Sequence, residues 1–297
     1  MMAIFGHLRK LKHSLDNTST PQYSFALIDE KYAVALNAQQ EANEKDFLLV
    51  TKLNDFLGKE IKLVFQNQIN CISCGRKTNK SFNQGYCYPC LNTKAQCDIC
   101  IVKPELCHFD NGTCRDENFA KEYCNINHSL YISLTSDLKI GVTRQNQEQT
   151  RWVDQGASQA LRVLTCAKRK HAGILEKKIS ATMKDKTNWR KMLKNEYPDV
   201  NLKAKKNNLL EMIFDEIENL GEEFEYLNDT IMKDEKEKIL TIKYPVLEYP
   251  QKVTSFNLDK NPVCEGVLMG IKGQYLILDT GVINLRKYAG YLMEFTW

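Results

Sequence analysis

The chain has 297 residues, enough for two or three compact modules, and a formal net charge of +4 at pH 7. No apolar run approaches the roughly 20 residues needed to span a bilayer, and the basic N-terminus lacks the continuous apolar stretch of a secretory signal. These features argue against a membrane-spanning or secreted protein and predict a soluble cytoplasmic one.

The N-terminal residues 1–69 are predicted to form a small β unit. The run YSFALIDEKYAVALN, residues 23–37, alternates roughly between apolar and polar residues, as strands do. GKEIKLVF and then NQINC supply two more short strands before the first cysteine.

Residues 70–128 are predicted to be a zinc-binding module, because nine of the eleven cysteines lie between Cys71 and Cys124. Two CxxC pairs separated by twelve residues match the spacing of a four-cysteine zinc ribbon, and they comprise Cys71, Cys74, Cys87 and Cys90. Such a site is closed and leaves no position for a substrate, so the zinc is expected to be structural.

A second group of seven candidate ligands follows, four of which could hold a second zinc ion. Their spacing is irregular and favours Cys100, Cys107, Cys114 and Cys124, with Cys97, His108 and His128 as reserves. His128 could instead belong to the segment that it precedes. Cys166 and Cys264 lie apart and are interpreted as small buried apolar residues, because no base accompanies either one.

Residues 129–200 are predicted to form a mixed core in the order β-β-α-β-α. LYISL and LKIGVT form a hairpin around a turn at Ser136-Asp137, and the elements that follow are NQEQTRWVDQGAS, ALRVLTCA and KRKHAGILEKKISATM. On the last helix, Glu176 falls within an apolar stripe formed by Ala172, Leu175, Ile179 and Met183. A carboxylate there needs a partner, and Arg151 and a divalent cation are the two candidates.

The remaining chain is predicted to contain a helical segment, residues 201–240, and a C-terminal β unit, residues 241–297. The helical segment has an apolar face that should pack on the protein's own core, formed by Leu209, Ile213, Ile217 and Leu220. The strands at the two ends of the chain could share one sheet or barrel. The predicted fold class is therefore α+β with several modules.

The mixed core resembles that of GIY-YIG nucleases, with Tyr131 on the first strand, LysIleGly at 139–141 on the second, and Arg151 and Glu176 on the two helices. The resemblance implies that Tyr131 helps to deprotonate a water, that Arg151 stabilises charge on a phosphate and that Glu176 holds one Mg²⁺. Lys139 replaces the second-strand tyrosine and could supply the cation that a tyrosine base needs. Substrate contacts are expected from Gly141, Thr143, Trp152, Asp154, Gln155 and Asn188.

Across nearly its whole length the chain also resembles a bacterial family, domain-of-unknown-function family 2797. The motifs that carry this resemblance include CISCGRK, GYCYPC, CIVKPELCHF, LKIGVTR, TRWVDQGA, DKTNWR and GIKGQYL. The family implies no activity. The TRWVDQGA residues could line a cleft or fix their helix to the zinc module.

Two hypotheses for the function follow. One is a zinc-containing, Mg²⁺-dependent endonuclease that acts on DNA or RNA, and it is favoured by the arginine and the glutamate. The other is a non-catalytic nucleic-acid-binding or adaptor protein with a degenerate nuclease fold, and it is favoured by Lys139. The basic run from Lys168 to Lys206, with Trp189 and Tyr197 interleaved, suits a nucleic-acid surface in either case. A small-molecule enzyme using Cys166 lacks a supporting triad.

Overall fold

The computed structural model describes residues 2–182, 188–219 and 238–297, and the chain divides into two compact units. Unit 1 consists of Met1–Asn92 with Lys243–Trp297, and unit 2 consists of Thr93–Ile242. This grouping differs from the five predicted segments, because strands from both ends of the chain pair with one another. It also separates the two cysteine groups, since the first lies in unit 1 and the second in unit 2.

The described residues form both strands and helices. The strands are β1 (Ala3–Leu8), β2 (Lys12–Leu15), β3 (Pro21–Ile28), β4 (Leu48–Lys52), β5 (Glu60–Ile69), β6 (His128–Leu134), β7 (Leu138–Arg144), β8 (Gln159–Cys166), β9 (Leu240–Thr241), β10 (Val263–Lys272), β11 (Tyr275–Leu278), β12 (Gly281–Asn284) and β13 (Tyr291–Thr296). The helices are α1 (Glu30–Asn37), α2 (Tyr88–Thr93), α3 (Glu117–Tyr123), α4 (Glu148–Asp154), α5 (Arg169–Ser180), α6 (Trp189–Leu193), α7 (Leu202–Met212) and α8 (Phe214–Asn219). In the described ranges, no helix is both long enough and apolar enough to cross a membrane.

Unit 1 is built on one antiparallel sheet with the strand order β12-β11-β10-β5-β13-β1-β3-β2, in which β4 also pairs with β3. The C-terminal β13 lies between β1 and β5, and β10 pairs with the other edge of β5. The interpretation that both ends of the chain share one sheet is therefore confirmed. Their apolar side chains meet in one core, where the rings of Phe25 and Phe295 lie 4.6 Å apart.

Two predictions for the N-terminal residues were wrong. The second half of the 23–37 run is the helix α1, which begins at an Asp29 cap whose carboxylate accepts from the Lys31 N–H at 2.9 Å. The two strands predicted before the first cysteine are one strand, β5. Asn67 has a positive φ of 55°, and the pairing with β13 shifts register nearby, so the predicted break is a bulge within a continuous strand.

Unit 2 contains a four-stranded antiparallel sheet with the order β7-β6-β8-β9. The predicted hairpin, the third strand and the two helices are all present, so the β-β-α-β-α order is confirmed as secondary structure. One face of the sheet is apolar and packs on α5 and α7 in a single core, which includes Leu130, Ile132, Ile140, Leu175 and Ile179. The opposite face carries Tyr131 and Arg162, and α4 lies over it.

In the predicted helical segment, the described residues 201–219 form two helices, α7 and α8, that meet at Ile213. Leu209, Ile213 and Ile217 are buried in the core of unit 2, which confirms that this apolar face packs on the protein itself. Leu220, the fourth predicted member of the face, and Met183, the last residue of the stripe on α5, lie outside the described residues.

Candidate functional site

The first cysteine group has the geometry of a structural zinc site. The Sγ atoms of Cys71, Cys74, Cys87 and Cys90 all lie within 4.8 Å of one another, and those of Cys74 and Cys87 are 3.7 Å apart. Zinc–thiolate bonds of about 2.3 Å in a tetrahedron place neighbouring sulfur atoms roughly 3.8 Å apart, so the four thiols fit a Zn²⁺ ion.

Local backbone structure brings these thiols together. β5 ends just before Cys71, and the chain reverses through Gly75, whose N–H donates to the Cys71 carbonyl at 2.9 Å. Gly75 has φ +69°, and a Cβ atom there would clash with the carbonyl oxygen of Ala33 on α1. Only glycine both adopts this positive φ readily and leaves room for the Ala33 carbonyl oxygen. Cys90 is supplied by α2, whose first residue follows Cys87.

Backbone donors also favour thiolate formation at this site. Burial disfavours the charged form of Cys71, but hydrogen bonds from the N–H groups of Cys87, Cys74 and Ser73 outweigh burial and lower its pKa. Burial raises the pKa of Cys74. Metal binding requires thiolates, so Cys71 is prepared to ionise, whereas Cys74 needs the cation itself to hold its thiolate.

The second cysteine group lies in unit 2. Cys100, Cys107, Cys114, Cys124 and His108 all line one small cavity. The lining does not include the reserve ligands Cys97 and His128. His128 is buried on β6, and its Nδ1 lies 2.7 Å from the Ile126 carbonyl oxygen.

A polar cluster forms where α4 covers the sheet of unit 2, and its central side chain is Tyr131. Gln155 bridges it to Arg151: in the amide orientation that matches donors to acceptors, the Gln155 nitrogen donates to Tyr131 Oη at 3.0 Å. The Gln155 oxygen accepts from Arg151 Nε at 2.9 Å and from Nη2 at 3.1 Å. Arg151 also hydrogen-bonds to the Tyr131 hydroxyl. The guanidinium is thereby held in one orientation.

Gly141 makes room for the Tyr131 ring. The two residues are directly opposite each other on β7 and β6. A Cβ atom at Gly141 would lie 2.6 Å from Tyr131 Oη and 2.7 Å from its Cζ, so the ring lies across the glycine. The structural role of Gly141 is therefore to allow the close approach of an aromatic side chain.

Glu176 on α5 completes the cluster. It is half-buried and interacts electrostatically with both Tyr131 and Arg151. Among the strands of the sheet, α5 packs most extensively on β7, the edge strand that contains Gly141. Tyr131 and Arg151 are therefore in direct contact, and Glu176 lies within electrostatic range of both.

The cation beside Tyr131 is Arg151 and not Lys139, which was expected to serve a tyrosine base. Burial raises the pKa of Tyr131, with the charge of Arg151 opposing the shift, so the hydroxyl is neutral at physiological pH. Lys139 lies on β7 opposite Ser133 and is half-buried. These positions suit Tyr131 as a fixed hydrogen-bonding partner of Arg151.

The remaining predicted substrate-binding residues lie at different depths. Trp152 is buried edge-on to the Tyr131 ring, with centroids 5.9 Å apart, and Asp154 interacts electrostatically with Arg151. Thr143 is half-buried on β7. Asn188 caps α6, where its side-chain oxygen accepts from the N–H groups of Arg190 and Lys191 at 3.1 and 3.2 Å.

Sequence reasoning missed the ion pair that fixes α4 to the sheet. Arg162 on β8 donates to the Glu148 carboxylate through Nε at 2.6 Å and Nη2 at 3.0 Å. The sequence did contain a signal for this ion pair: an arginine lies within the apolar strand LRVLTC, and a charge in such a run requires a partner. Cys166 is fully buried, and burial raises its pKa, so it is an inert thiol.

Comparison with known proteins identifies one family. The model of the family described as "Protein of unknown function (DUF2797)" matches residues 58–293, which is most of the chain. No curated protein and no solved structure matches the chain. The matched region includes both cysteine groups and the cluster around Tyr131. The chain therefore belongs to the DUF2797 family.

Proposed function

We propose that unit 2 binds nucleic acid and hydrolyses a phosphodiester bond with the help of a divalent cation, as the resemblance of its β-β-α-β-α core to GIY-YIG nucleases implies. The observation that carries the proposal is that Arg151 hydrogen-bonds to the buried hydroxyl of Tyr131 while Glu176 interacts electrostatically with both residues. An oriented cation beside a carboxylate is the minimum arrangement for phosphoryl chemistry.

Arg151 would contact the phosphate. Its guanidinium is held by Gln155 and Tyr131, while the residue is not fully buried. A guanidinium presents planar paired donors that match two phosphate oxygens, and a donor fixed in advance requires little reorganisation as charge develops. Tyr131 acts as a positioning residue in this account, because its neutral hydroxyl is buried away from any water nucleophile.

Glu176 would hold the cation. A single carboxylate suits Mg²⁺, which usually keeps several waters and is bound through one or two carboxylates together with substrate phosphates. A bound ion there would supply positive charge to neutralise the phosphate and the leaving oxygen. The half-buried position of Glu176 and its electrostatic interaction with Arg151 support this role.

The charge of the surrounding chain supports nucleic acid as the substrate class. Residues 139–206 include seventeen Lys or Arg and only six Asp or Glu residues. Among the described ones, Lys177, Lys178 and Lys203 are exposed on α5 and α7. The Arg190 guanidinium also stacks 4.3 Å from the Trp189 ring, a pairing that can extend to a base.

A second candidate is a nucleic-acid-binding protein without catalysis. Two observations favour it, namely the complete burial of Tyr131 and the lysine at position 139 in place of the second tyrosine of the nucleases. In this alternative, Arg151 and the surface lysines bind the phosphate backbone and Glu176 only neutralises Arg151.

The test is cleavage of single- and double-stranded DNA and RNA by the zinc-loaded full chain, with and without Mg²⁺. We expect Glu176→Gln and Arg151→Ala to slow cleavage by about 100-fold or more, whereas Glu211→Gln, at an exposed position on α7, serves as the matched control. Cleavage that persists in both variants would contradict the proposed site. Absence of cleavage together with salt-sensitive binding by the wild type would reject hydrolysis and select the second candidate.

A further inference from the structure

Three side chains of different chemistry converge in the second cysteine group. The ligand atoms of Asp98, Cys100 and His108 all lie within 4.8 Å of one another. All three residues line the same cavity of about 10 Å³ in unit 2, a volume close to the minimum for one water molecule. Asp98 and Cys100 are buried, whereas the His108 side chain is 27% exposed. The group therefore encloses a small space with one side near the solvent.

Hydrogen bonds fix which nitrogen of His108 faces the other two residues. The Thr113 hydroxyl donates to the His108 carbonyl oxygen at 3.3 Å. Because its one proton is used there, Thr113 Oγ1 accepts from His108 Nδ1, which lies 2.8 Å away. In the neutral ring, Nε2 is thereby left with the lone pair that a metal ligand needs. This nitrogen lies 3.5 Å from Asp98 Oδ2.

The separation between His108 and Asp98 matches two ligands of one ion. A nitrogen and an oxygen bonded to zinc at about 2.0–2.1 Å in a tetrahedron lie roughly 3.3 Å apart, whereas an N–H···O hydrogen bond is usually about 2.9 Å long. Two lone pairs that face each other at 3.5 Å repel unless a positive charge lies between them. A proton on Nε2 is the competing explanation, but it joins only two members of the group. An ion joins all three.

Two further groups orient the Asp98 carboxylate. Arg115 Nε lies 2.7 Å from Asp98 Oδ2, and the Cys100 N–H donates to Oδ1 at 3.4 Å. Each carboxylate oxygen has two lone-pair sites, so these interactions leave room for a bond to a metal. Ligating carboxylates and imidazoles are usually held by such outer partners. Arg115 and Thr113 have this position beside Asp98 and His108.

The ligand types in this group suit zinc. One thiolate, one imidazole and one carboxylate are the three kinds of ligand that Zn²⁺ binds in proteins. Of the four cysteines that spacing favours as ligands of a second ion, only Cys100 belongs to the group. The Cys114 sulfur instead donates to the Asp116 carbonyl oxygen at 3.4 Å. Three protein ligands leave a fourth position, which a water molecule can fill.

We infer that Asp98, Cys100 and His108 bind a second zinc ion, distinct from the one at the first cysteine group, with water as the fourth ligand. The carboxylate and the thiolate balance the two positive charges of the ion, which lowers the cost of burying it. The open fourth position distinguishes this ion from the closed four-cysteine site. The inference does not depend on the proposed nuclease activity, because none of its ligands belongs to the cluster around Tyr131.

The second ion closes a loop that lies against α5. Its outer ligands stand at the two ends of residues 98–108, whose regular elements are two 3-10 turns of three residues each. Pro104, near the middle of this loop, packs directly on Gly173 of α5, where an added Cβ atom would clash with it. Elements this small usually depend on a metal or a disulfide for stability. The metal thus fixes the segment that covers α5 at Gly173.

Metal analysis of the purified full chain tests this inference without any activity measurement. We expect two zinc ions per chain in the wild type, and one in Cys100→Ser and in His108→Ala. Cys114→Ser is the matched control and should keep both ions, because its thiol lies in the same segment but outside the group. One zinc ion in the wild type would overturn the inference. Loss of the second ion in Cys114→Ser but not in His108→Ala would also overturn it.

A second measurement uses only the wild type and so does not depend on the folding of a variant. X-ray absorption at the zinc edge counts the sulfur atoms bound to each ion. A four-cysteine site together with a one-cysteine site should give an average of about 2.5 sulfur atoms per zinc, at a distance of about 2.3 Å. An average of about four sulfur atoms, with two ions bound, would contradict the mixed ligand set.

Discussion

Cys87→Ser should abolish zinc binding at the first cysteine group and lower the stability of unit 1 by several kcal/mol, given that zinc contributes about 10–16 kcal/mol in small zinc modules. The apolar cluster at this site consists of Cys71, Cys87 and Cys90, with Cys74 and Tyr86 packed against it. Because this core is made almost entirely of ligands, removing the metal leaves little to hold the segment together.

Metal analysis and thermal unfolding of the variant measure this effect. Cys264→Ser is the matched control, since Cys264 is buried in the same unit but lies on β10, outside the cluster. It should keep the zinc and lose far less stability. Retention of both zinc and wild-type stability by Cys87→Ser would show that the cluster is not a metal site.

Gly141→Ala should displace the Tyr131 ring, with a cost of roughly 1–3 kcal/mol in the free energy of unfolding, as is usual for overpacking. The added Cβ would lie 2.6 Å from Oη of a side chain that has no exposed surface, so the ring must move. The move would break the hydrogen bonds to Gln155 and Arg151, and the proposed cleavage should fall with it.

A double-mutant cycle separates this clash from a general intolerance of alanine on β7. In a Tyr131→Leu background the ring atoms that face Gly141 are absent, so Gly141→Ala should cost much less than it does in the wild type. Chemical denaturation measures both differences. An equal cost in the two backgrounds would contradict the close packing of Gly141 against Tyr131.

The zinc ligands illustrate how far sequence reasoning reaches. The two CxxC pairs were sufficient to predict the first site, because each pair forms a local turn and its spacing alone sets the thiol geometry. The second group has irregular spacing, so the positions of its cysteines depend on how 3-10 turns fold over one another. Only the three-dimensional arrangement places Cys100, Cys107, Cys114 and Cys124 around one cavity and leaves Cys97 outside it.

The polar cluster shows a similar limit. Resemblance to a nuclease core predicted that Tyr131, Arg151 and Glu176 would lie together, but their catalytic roles stay predictions. The burial of Tyr131 depends on its cross-strand register with Gly141 and on the cover from Trp152. Neither can be deduced from periodicity.

In the N-terminal residues, the alternation of apolar and polar residues led to the prediction of a strand where the structure has α1. Asp29 followed by Glu30 is nevertheless a recognisable helix start.

The central claim is that Arg151 and Glu176 act together on one scissile phosphate. The most direct test is the single-turnover cleavage rate, at saturating Mg²⁺, of Arg151→Ala, Glu176→Gln and the double variant. When two residues serve the same catalytic step, the effects of their substitutions on the rate are strongly non-additive. We therefore predict that the double variant is about as slow as the slower single variant. Losses that multiply, or rates equal to that of the wild type, would contradict a shared site.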